Sequence, residues 1–177
     1  MDKKLKGYIQ IYTGNGKGKT TAALGLALRS AGYNKTVFIG QFLKGHRYGE
    51  LESLKKFDSL ITIQQFGRTG FIHMTDNPDK KDIEAAQKGL KTCLQAMLSG
   101  KYEIIILDEI NVALYFNLLT EKEVHDFLDK KPEGVEVIMT GRYSPSSLME
   151  RADLVTEMQE KKHYYTQGVQ ARDGIER

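Results

Sequence analysis

The sequence predicts a three-layer α/β/α protein with a mainly parallel central sheet of about six strands. Two observations support this prediction. Short apolar runs alternate with helical patterns along the chain, which is typical of right-handed βαβ units. A glycine-rich stretch also connects the first apolar run directly to a helical pattern. Because the chain has 177 residues and no linker-like tract, we expect one domain over residues 1–177.

The first half of the chain contains three predicted strands, which are rich in β-branched and aromatic residues. They are YIQIY (8–12), TVFIGQF (36–42) and LITIQQF (60–66). Residues 19–30 are apolar on nearly all sides, which predicts a buried helix ending at Gly32. A second helix is predicted to begin with Asn77 as cap and Pro78 in the first turn, and to end at Gly100.

The second half repeats the alternation. EIIIL (103–107) is a continuous apolar run, as expected of a strand covered on both faces. Thr120 and Glu123 have capping-box spacing and predict a helix through Leu128. VEVIMT (135–140) predicts a strand, Ser144-Pro145 the start of a short helix, and DLVTEM (153–158) a last strand.

Composition excludes several classes of protein. The formal net charge of +3 is small, so we expect no nucleic-acid partner. The single cysteine, Cys93, rules out a disulfide within the chain and a Cys-rich zinc site, and its apolar neighbours predict a buried core thiol. No apolar run approaches the ~20 residues that a membrane span needs. We therefore expect a cytoplasmic protein without a membrane partner.

The stretch TGNGKGKTT (13–21) predicts a phosphate-binding loop, with Thr13 where the usual pattern has its first glycine. Its glycines allow positive φ and direct backbone N–H groups toward an anion, and the helix N-terminus adds partial positive charge. Lys19 adds a cation, and the Thr20 hydroxyl suits a Mg²⁺ ion that bridges phosphates. The predicted triphosphate-binding residues of the loop are Gly14, Asn15, Gly16, Lys17, Gly18, Lys19, Thr20 and Thr21.

Two acids and two arginines join this prediction. Asp108 and Glu109 follow the apolar strand and should meet the loop at the carboxyl edge of the sheet, where an acid holds Mg²⁺ directly or through water. Arg29, on the helix after the loop, could reach phosphate or pair with an acid. Arg142, after a later strand, is either a phosphate contact or a surface residue. His46, His125 and His163 have no ligand or triad spacing, which favours structural or surface roles.

These features predict a Mg²⁺–nucleoside triphosphate protein of the P-loop, RecA-like type. No guanine-reading N-K-x-D and no H-R-D or D-F-G pair of a protein kinase is present. A more specific set of stretches resembles one family, the ATP:corrinoid adenosyltransferases of the CobA/BtuR type. The stretches are YTGNGKGKTTAALGLALR, GQFLKG, RTGF, ILDE, VIMTGR, ADLVTEM and KHYYTQGVQARDGIE, in the same order and over nearly the whole chain.

The resemblance implies transfer of the 5′-deoxyadenosyl group of ATP to the cobalt of a reduced cob(I) corrinoid, such as cobalamin or cobinamide. The whole triphosphate leaves, and the product serves adenosylcobalamin biosynthesis or corrinoid salvage. In that family ATP lies in the loop in the reverse sense, which would account for the altered opening at Thr13. The resemblance implies Mg²⁺ (or Mn²⁺) held by Thr20 and Glu109, with Asp108 second or through water, and it favours a triphosphate contact for Arg29.

The family also uses aromatic residues of a G-F-x-W segment as an apolar wedge that removes the lower axial ligand of cobalt. Here the segment is GFIHM, so Phe71 matches the phenylalanine and His73 replaces the tryptophan. His73 could be a smaller wedge, a cobalt ligand or a loop residue without a role. Lys19, Glu109 and Phe71 are the residues from which we expect the main catalytic contributions.

The resemblance further implies a homodimer and an electron donor such as a reduced flavoprotein. Better-known members carry a basic helix before the first strand, which starts here near Tyr8, so the segment KHYYTQGVQARDGIER is expected to do more of the covering. Two alternatives remain. One is a nucleotide-switched P-loop ATPase that binds a protein partner, and the other is a nucleic-acid-stimulated ATPase, which would need a basic aromatic groove.

Overall fold

A computed structural model describes residues 6–68 and 78–176 of the chain. Six strands form one sheet in which every paired neighbour is parallel, in the order β3-β2-β4-β5-β1-β6. The strands are β1 (Ile9–Thr13), β2 (Val37–Phe42), β3 (Ile61–Phe66), β4 (Ile104–Asp108), β5 (Glu136–Thr140) and β6 (Leu154–Glu157). The predicted fold class is confirmed.

Helices cover both faces of this sheet. They are α1 (Lys19–Ala31), α2 (Gly49–Leu54), α3 (Lys80–Leu98), α4 (Ile110–Tyr115), α5 (Glu121–Asp129) and α6 (Ser146–Arg151). One apolar core lies between the sheet and α3, α4 and α5, and includes Phe38, Ile105 and Val137. The other lies between the sheet and α1, and includes Ile39, Ile106 and Ile138. Alternate residues of the central strands therefore point into opposite cores, as the pleat requires.

Two helix predictions need correction. Helix α1 is not buried all round: Ala23, Ala27 and Ala31 face the sheet, whereas Leu28 is 43% exposed, because α1 lies in an outer layer. Helix α3 is capped by Asp79, whose carboxylate accepts from the Lys81 N–H, so Pro78 precedes the helix. The predicted cap Asn77 lies outside the described residues. The capping box of Thr120 and Glu123 is present as predicted.

The parallel sheet brings the ends of β1, β2, β4 and β5 to one edge. The register pairs Gln41 at the end of β2 with Asp108 at the end of β4. Thr140 ends β5, and Thr13 ends β1. In sheets of this kind the ligand site lies at the carboxyl edge, so the connections after these four strands are where a ligand is expected.

Candidate functional site

The loop between β1 and α1 has the backbone that its glycines predict. Gly14 and Gly18 have φ of 93° and 120°, in the left-handed region that favours glycine. A side chain at Gly14 would also meet the Met158 carbonyl oxygen at 2.5 Å, because the end of β6 runs against the loop. Thr13 is buried, and its hydroxyl accepts from the Ser144 N–H at 3.3 Å. Thr13 therefore ties the loop to the connection after β5, and Gly14 makes the turn.

Lys19 lies inside the loop rather than above it. Its ammonium donates to the carbonyl oxygens of Gly14 at 2.8 Å and Gly16 at 2.7 Å, and the residue is only 7% exposed. Burial lowers the pKa of Lys19, as does the charge of Arg142, while Glu109 and Glu160 act in the opposite direction. The lysine is thus a cation held at the centre of the loop, where a negatively charged ligand would offset the energetic cost of burying its charge.

The remaining loop residues are placed differently from one another. The Gly16 N–H donates to the Met158 carbonyl at 2.6 Å, so that amide is engaged by the chain after β6 rather than directed at a ligand. Asn15, Lys17 and Thr21 are exposed. The ammonium of Lys17 points outward and donates to the Glu176 carboxylate at 2.9 Å.

Asp108 is the most fully engaged polar side chain of this edge. One carboxylate oxygen accepts from the hydroxyls of Thr20 at 2.8 Å and Thr140 at 2.7 Å. The other accepts from the Gln41 amide at 3.1 Å and the Lys44 ammonium at 2.9 Å. A carboxylate has about four acceptor positions, and these four donors fill them. Because Thr20 gives its proton to Asp108, the lone pairs of the Thr20 oxygen remain for a cation.

Glu109 differs sharply from its neighbour. It caps α4 with a φ of 65°, and its N–H donates to the Thr140 hydroxyl at 2.9 Å. No hydrogen bond reaches its carboxylate from residues 6–68 or 78–176. Burial and the charge of Asp108 raise the pKa of Glu109, whereas Lys44, Lys19 and Arg142 counter that shift. The three cations favour the ionised form of Glu109, and a carboxylate without a hydrogen-bond donor among the described residues has its oxygens available to a metal ion.

The described residues do not include a cluster of three or more His, Cys, Asp or Glu side chains that could hold a metal ion alone. Mg²⁺ does not need such a cluster, because it is usually held by one or two carboxylates together with substrate phosphates and waters. The Thr20 hydroxyl and the Glu109 carboxylate are oxygen ligands of the required kind; Thr20 bonds to Asp108, and Glu109 follows Asp108 in the chain. Their chemistry therefore fits a Mg²⁺ that arrives with a triphosphate.

The two predicted arginines have separate positions. Arg142 is exposed and acts electrostatically on both Lys19 and Glu109, so it belongs to this cluster of charges. Arg29 is exposed in the last turn of α1, roughly 15 Å along the helix axis from Lys19. The structure does not bring Arg29 to the N-terminal end of α1. Phe71 and His73 lie outside the described residues.

Sequence reasoning missed several members of the site. Lys44 and Gln41 were inside GQFLKG and Thr140 inside VIMTGR, but nothing in their spacing pointed to Asp108. The C-terminal segment was expected to help cover the site, but its individual contacts with the loop were not predicted. Glu176 is bonded to Tyr164, Arg172 and Lys17, and the Ile175 carbonyl accepts from Lys17 at 2.9 Å. The C-terminal segment therefore lies across the outer side of the phosphate-binding loop.

Comparisons with known proteins give a family match over nearly the whole chain. Residues 5–177 match the profile of the family described as ATP:corrinoid adenosyltransferase BtuR/CobO/CobP. A corrinoid adenosyltransferase from Sinorhizobium sp. is 35% identical over 97% of this chain and 80% of its own length. A corrinoid adenosyltransferase from Escherichia coli K12 is 34% identical over 97% of this chain and 86% of its own length. A third, from Salmonella typhimurium, is 33% identical over the same shares.

None of the described helices is long and apolar enough to cross a membrane.

Proposed function

Because the chain belongs to the ATP:corrinoid adenosyltransferase family, we propose that its carboxyl-edge site transfers the 5′-deoxyadenosyl group of ATP to the cobalt of a reduced corrinoid. The observation that carries this proposal is the pairing of the β1–α1 loop with Asp108 and Glu109. The loop provides a buried cation and the N-terminus of α1, and the acids provide oxygen ligands for a divalent cation. Together they match a magnesium triphosphate.

The reaction needs little covalent chemistry from the protein. The electron pair of cob(I) attacks C5′, a cobalt–carbon bond forms, and the bond between C5′ and its ester oxygen breaks. The electrons of that bond leave on the triphosphate, and cobalt is formally oxidised from +1 to +3. Cob(I) is itself the nucleophile, so no general base is required. The protein must instead position C5′ and stabilise the charge that grows on the leaving group.

Lys19 is the residue that we assign to that charge. Its ammonium is already inside the loop, 2.8 Å from the Gly14 carbonyl, and its burial strengthens its attraction for an anion. Gly14 and Gly18 provide the turns, Asn15 and Thr21 line the exposed rim, and Arg142 adds a second cation near Glu109. The outward direction of Lys17 and the engaged Gly16 N–H make these two the weaker members of the predicted set.

Mg²⁺ or Mn²⁺ would be held by Thr20 and Glu109, with Asp108 acting through the Thr20 hydroxyl. The hydrogen bond from Thr20 to Asp108 orients the hydroxyl so that its lone pairs face away from Asp108. When bound, the cation would neutralise charge on the departing triphosphate.

The corrinoid part of the proposal rests on the sequence resemblance. Phe71 would serve as the apolar wedge beneath the corrin ring, with His73 as its smaller companion. Arg29 remains a proposed triphosphate contact on the same grounds. A reduced flavoprotein would supply the electron that converts cob(II) to cob(I), and the active assembly would be a homodimer.

The test is to incubate the protein with ATP, Mg²⁺ and chemically reduced cob(I)alamin. The expected products are adenosylcobalamin and intact inorganic triphosphate in equal amounts. Adenosylcobalamin is detected by its absorption spectrum. Release of ADP and phosphate without a cobalt–carbon bond would refute the proposal and favour a nucleotide-switched ATPase that acts on a protein partner. A Lys19→Ala variant should remove both expected products and serves as the negative control.

A further inference from the structure

Lys44 lies in the connection after β2 and places its ammonium on the innermost acid of the site. The nitrogen is 2.9 Å from an Asp108 carboxylate oxygen and 3.5 Å from Glu50, and it lies over the Tyr48 ring at 4.9 Å from the centroid. The Lys44 side chain is 13% exposed and that of Asp108 is 1% exposed. This contact is therefore one of the few nearly buried ion pairs in the described part of the chain.

The backbone around Lys44 is built to hold this position. Leu43 has a φ of 62°, which is uncommon for a branched residue and persists only where its surroundings impose it. A side chain at Gly45 would meet the Arg68 carbonyl at 2.3 Å, and one at Gly67 would meet the Lys44 backbone nitrogen at 2.7 Å. The Lys44 connection thus packs against the backbone that leaves β3, which fixes where the ammonium can reach.

We propose that Lys44 is a positioning residue that keeps the divalent cation off Asp108 and so leaves it to Thr20 and Glu109. This inference rests on the proposed function. It assigns a role to Lys44, which is not a residue of the phosphate-binding loop. Two adjacent acids at the end of β4 could otherwise chelate a cation between them. By holding one oxygen of Asp108, Lys44 restricts that acid to orienting the two hydroxyls of Thr20 and Thr140.

The charges around Asp108 and Glu109 support these separate roles for the two acids. Asp108 and Glu109 are neighbours in the chain, and without a counter-ion their mutual repulsion would favour capture of any free cation. Lys44 places one positive charge next to Asp108. The neutral Gln41 amide donates to the same carboxylate oxygen at 3.1 Å. Gln41 and Lys44 also share Glu50, which restrains both donors. Donors of the protein therefore occupy all four acceptor positions of Asp108 before a nucleotide arrives.

The test replaces Lys44 by methionine, which has a similar stem and no charge, with Lys44→Arg as the matched control. Binding of Mn²⁺ without nucleotide is measured by electron paramagnetic resonance, and turnover is measured with MgATP and cob(I)alamin. Lys44→Met should bind bare Mn²⁺ about tenfold more tightly, because an Asp108 oxygen becomes available. Its kcat should fall about 10- to 100-fold, as for other residues that orient metal ligands. Lys44→Arg should stay close to wild type in both measurements.

A residue with only a structural role would weaken both measurements together, so opposite signs are the mark of the proposed role. Unchanged or weaker Mn²⁺ binding in Lys44→Met would overturn the inference. Weaker MgATP binding with unchanged Mn²⁺ binding would also overturn it, and would make Lys44 a direct triphosphate contact. If the wild type forms no adenosylcorrinoid but the Mn²⁺ shift is observed, the proposed function fails while the role of Lys44 stands.

The double variant Lys44→Met/Asp108→Asn guards against a folding defect in the single variant, because it removes both members of the buried pair. If Lys44 acts through Asp108, the double variant should lose the tighter Mn²⁺ binding and return to the wild-type affinity or below it. Tight Mn²⁺ binding that persists in the double variant would contradict the inference, since the cation would then not be using Asp108.

Discussion

Two lysines of one loop, Lys17 and Lys19, are separated only by Gly18 and have opposite surroundings. Lys19 points to the inner side, where it is 7% exposed and donates to loop carbonyls beside the buried Asp108 network. Lys17 points to the outer side, where its side chain is 41% exposed and bonded to the C-terminal segment. The inner side is built by the sheet, whereas the outer side is built by a segment with few buried residues.

This difference shows that a sequence motif does not give equal roles to its charged residues. The inner contacts are buried, and loss of a partner there leaves a desolvated polar group, which is costly. The outer contacts are largely exposed, so solvent can replace them. We therefore expect chemistry to depend on the inner side and the covering of the loop to depend on the outer side.

The largest expected effect comes from Lys19→Ala. Removing the buried ammonium should lower kcat/KM with pre-formed cob(I)alamin by about 10³-fold, the upper range for loss of one charge-stabilising donor. The matched variant is Lys17→Ala, which removes the same charge from the outer side and should retain most activity. Similar losses of kcat/KM in the two variants would show that the inner and outer sides of the loop do not differ in their importance for catalysis.

The second effect concerns Asp108→Asn. An amide nitrogen cannot accept from Lys44 or Gln41, so the nearly buried Lys44 charge would lose its closest counter-charge and keep Glu50, at 3.5 Å. We expect the free energy of unfolding to fall by about 3 kcal/mol, as when one member of a buried ion pair is removed. Urea denaturation measures this loss. Glu52→Gln, which alters an exposed pair with Arg47 and Lys55, is the control and should unfold at the wild-type midpoint.

Glu109→Gln should separate activity from stability. Turnover should fall about 10- to 100-fold and require more Mg²⁺, because a metal ligand is removed. Stability should not fall. The pKa of Glu109 is raised in the folded state, so its ionised form opposes folding as pH rises above the ordinary glutamate pKa of 4.5. Removing that charge should leave the urea midpoint at pH 7 unchanged or higher, and a clear decrease would contradict the assignment.

The smallest effect is expected on the outer side, from Glu176→Gln. Turnover should change by less than about threefold, because the hydrogen bonds that this substitution weakens are exposed to solvent. Amide hydrogen exchange in residues 160–176 should nevertheless become faster at pH 7, since Glu176 bonds Lys17, Tyr164 and Arg172. Unchanged exchange in the variant would show that these bonds do not hold the segment.

The same carboxylate gives this segment a pH dependence. Bonds from Arg172, Tyr164 and Lys17 lower the pKa of Glu176 below its usual value of 4.5. A lowered carboxyl pKa stabilises the contact fully above pH 4.5, and that stabilisation is lost as pH falls further. The protection factor of the segment, which corrects the exchange rate for the slower intrinsic exchange in acid, should therefore fall below pH 4.5 in the wild type and stay low at every pH in Glu176→Gln.

Much of the fold could be predicted because its signals are local. The run from Ile104 to Leu107 is apolar throughout and is fully buried, and Thr120 with Glu123 caps α5 through adjacent residues. The turn of the β1–α1 loop could likewise be predicted, because Gly14 and Gly18 stand where the backbone has positive φ. Helix α2 and helix α4 were not predicted, because each is six residues long and carries little periodic signal.

The arrangement of the site depends on contacts between distant residues and could not be predicted in that way. Lys44 and Asp108 are 64 residues apart in sequence, and they meet only because β2 and β4 are neighbours in the sheet. The covering of Lys17 by Glu176 spans 159 residues. Arg29 lies in the last turn of α1, roughly 15 Å along the helix axis from Lys19, so its proposed triphosphate contact rests on the family resemblance and not on the loop. Spacing along the chain carries no information on such pairs.

The role of the loop in holding the triphosphate as a leaving group is tested most directly by the bond that breaks. ATP carrying ¹⁸O in the oxygen between C5′ and the α-phosphorus is turned over with cob(I)alamin, and the products are analysed by mass spectrometry. We expect all of the label to appear in intact inorganic triphosphate and none in the adenosyl product. Label retained in ADP, with unlabelled phosphate released, would contradict that role.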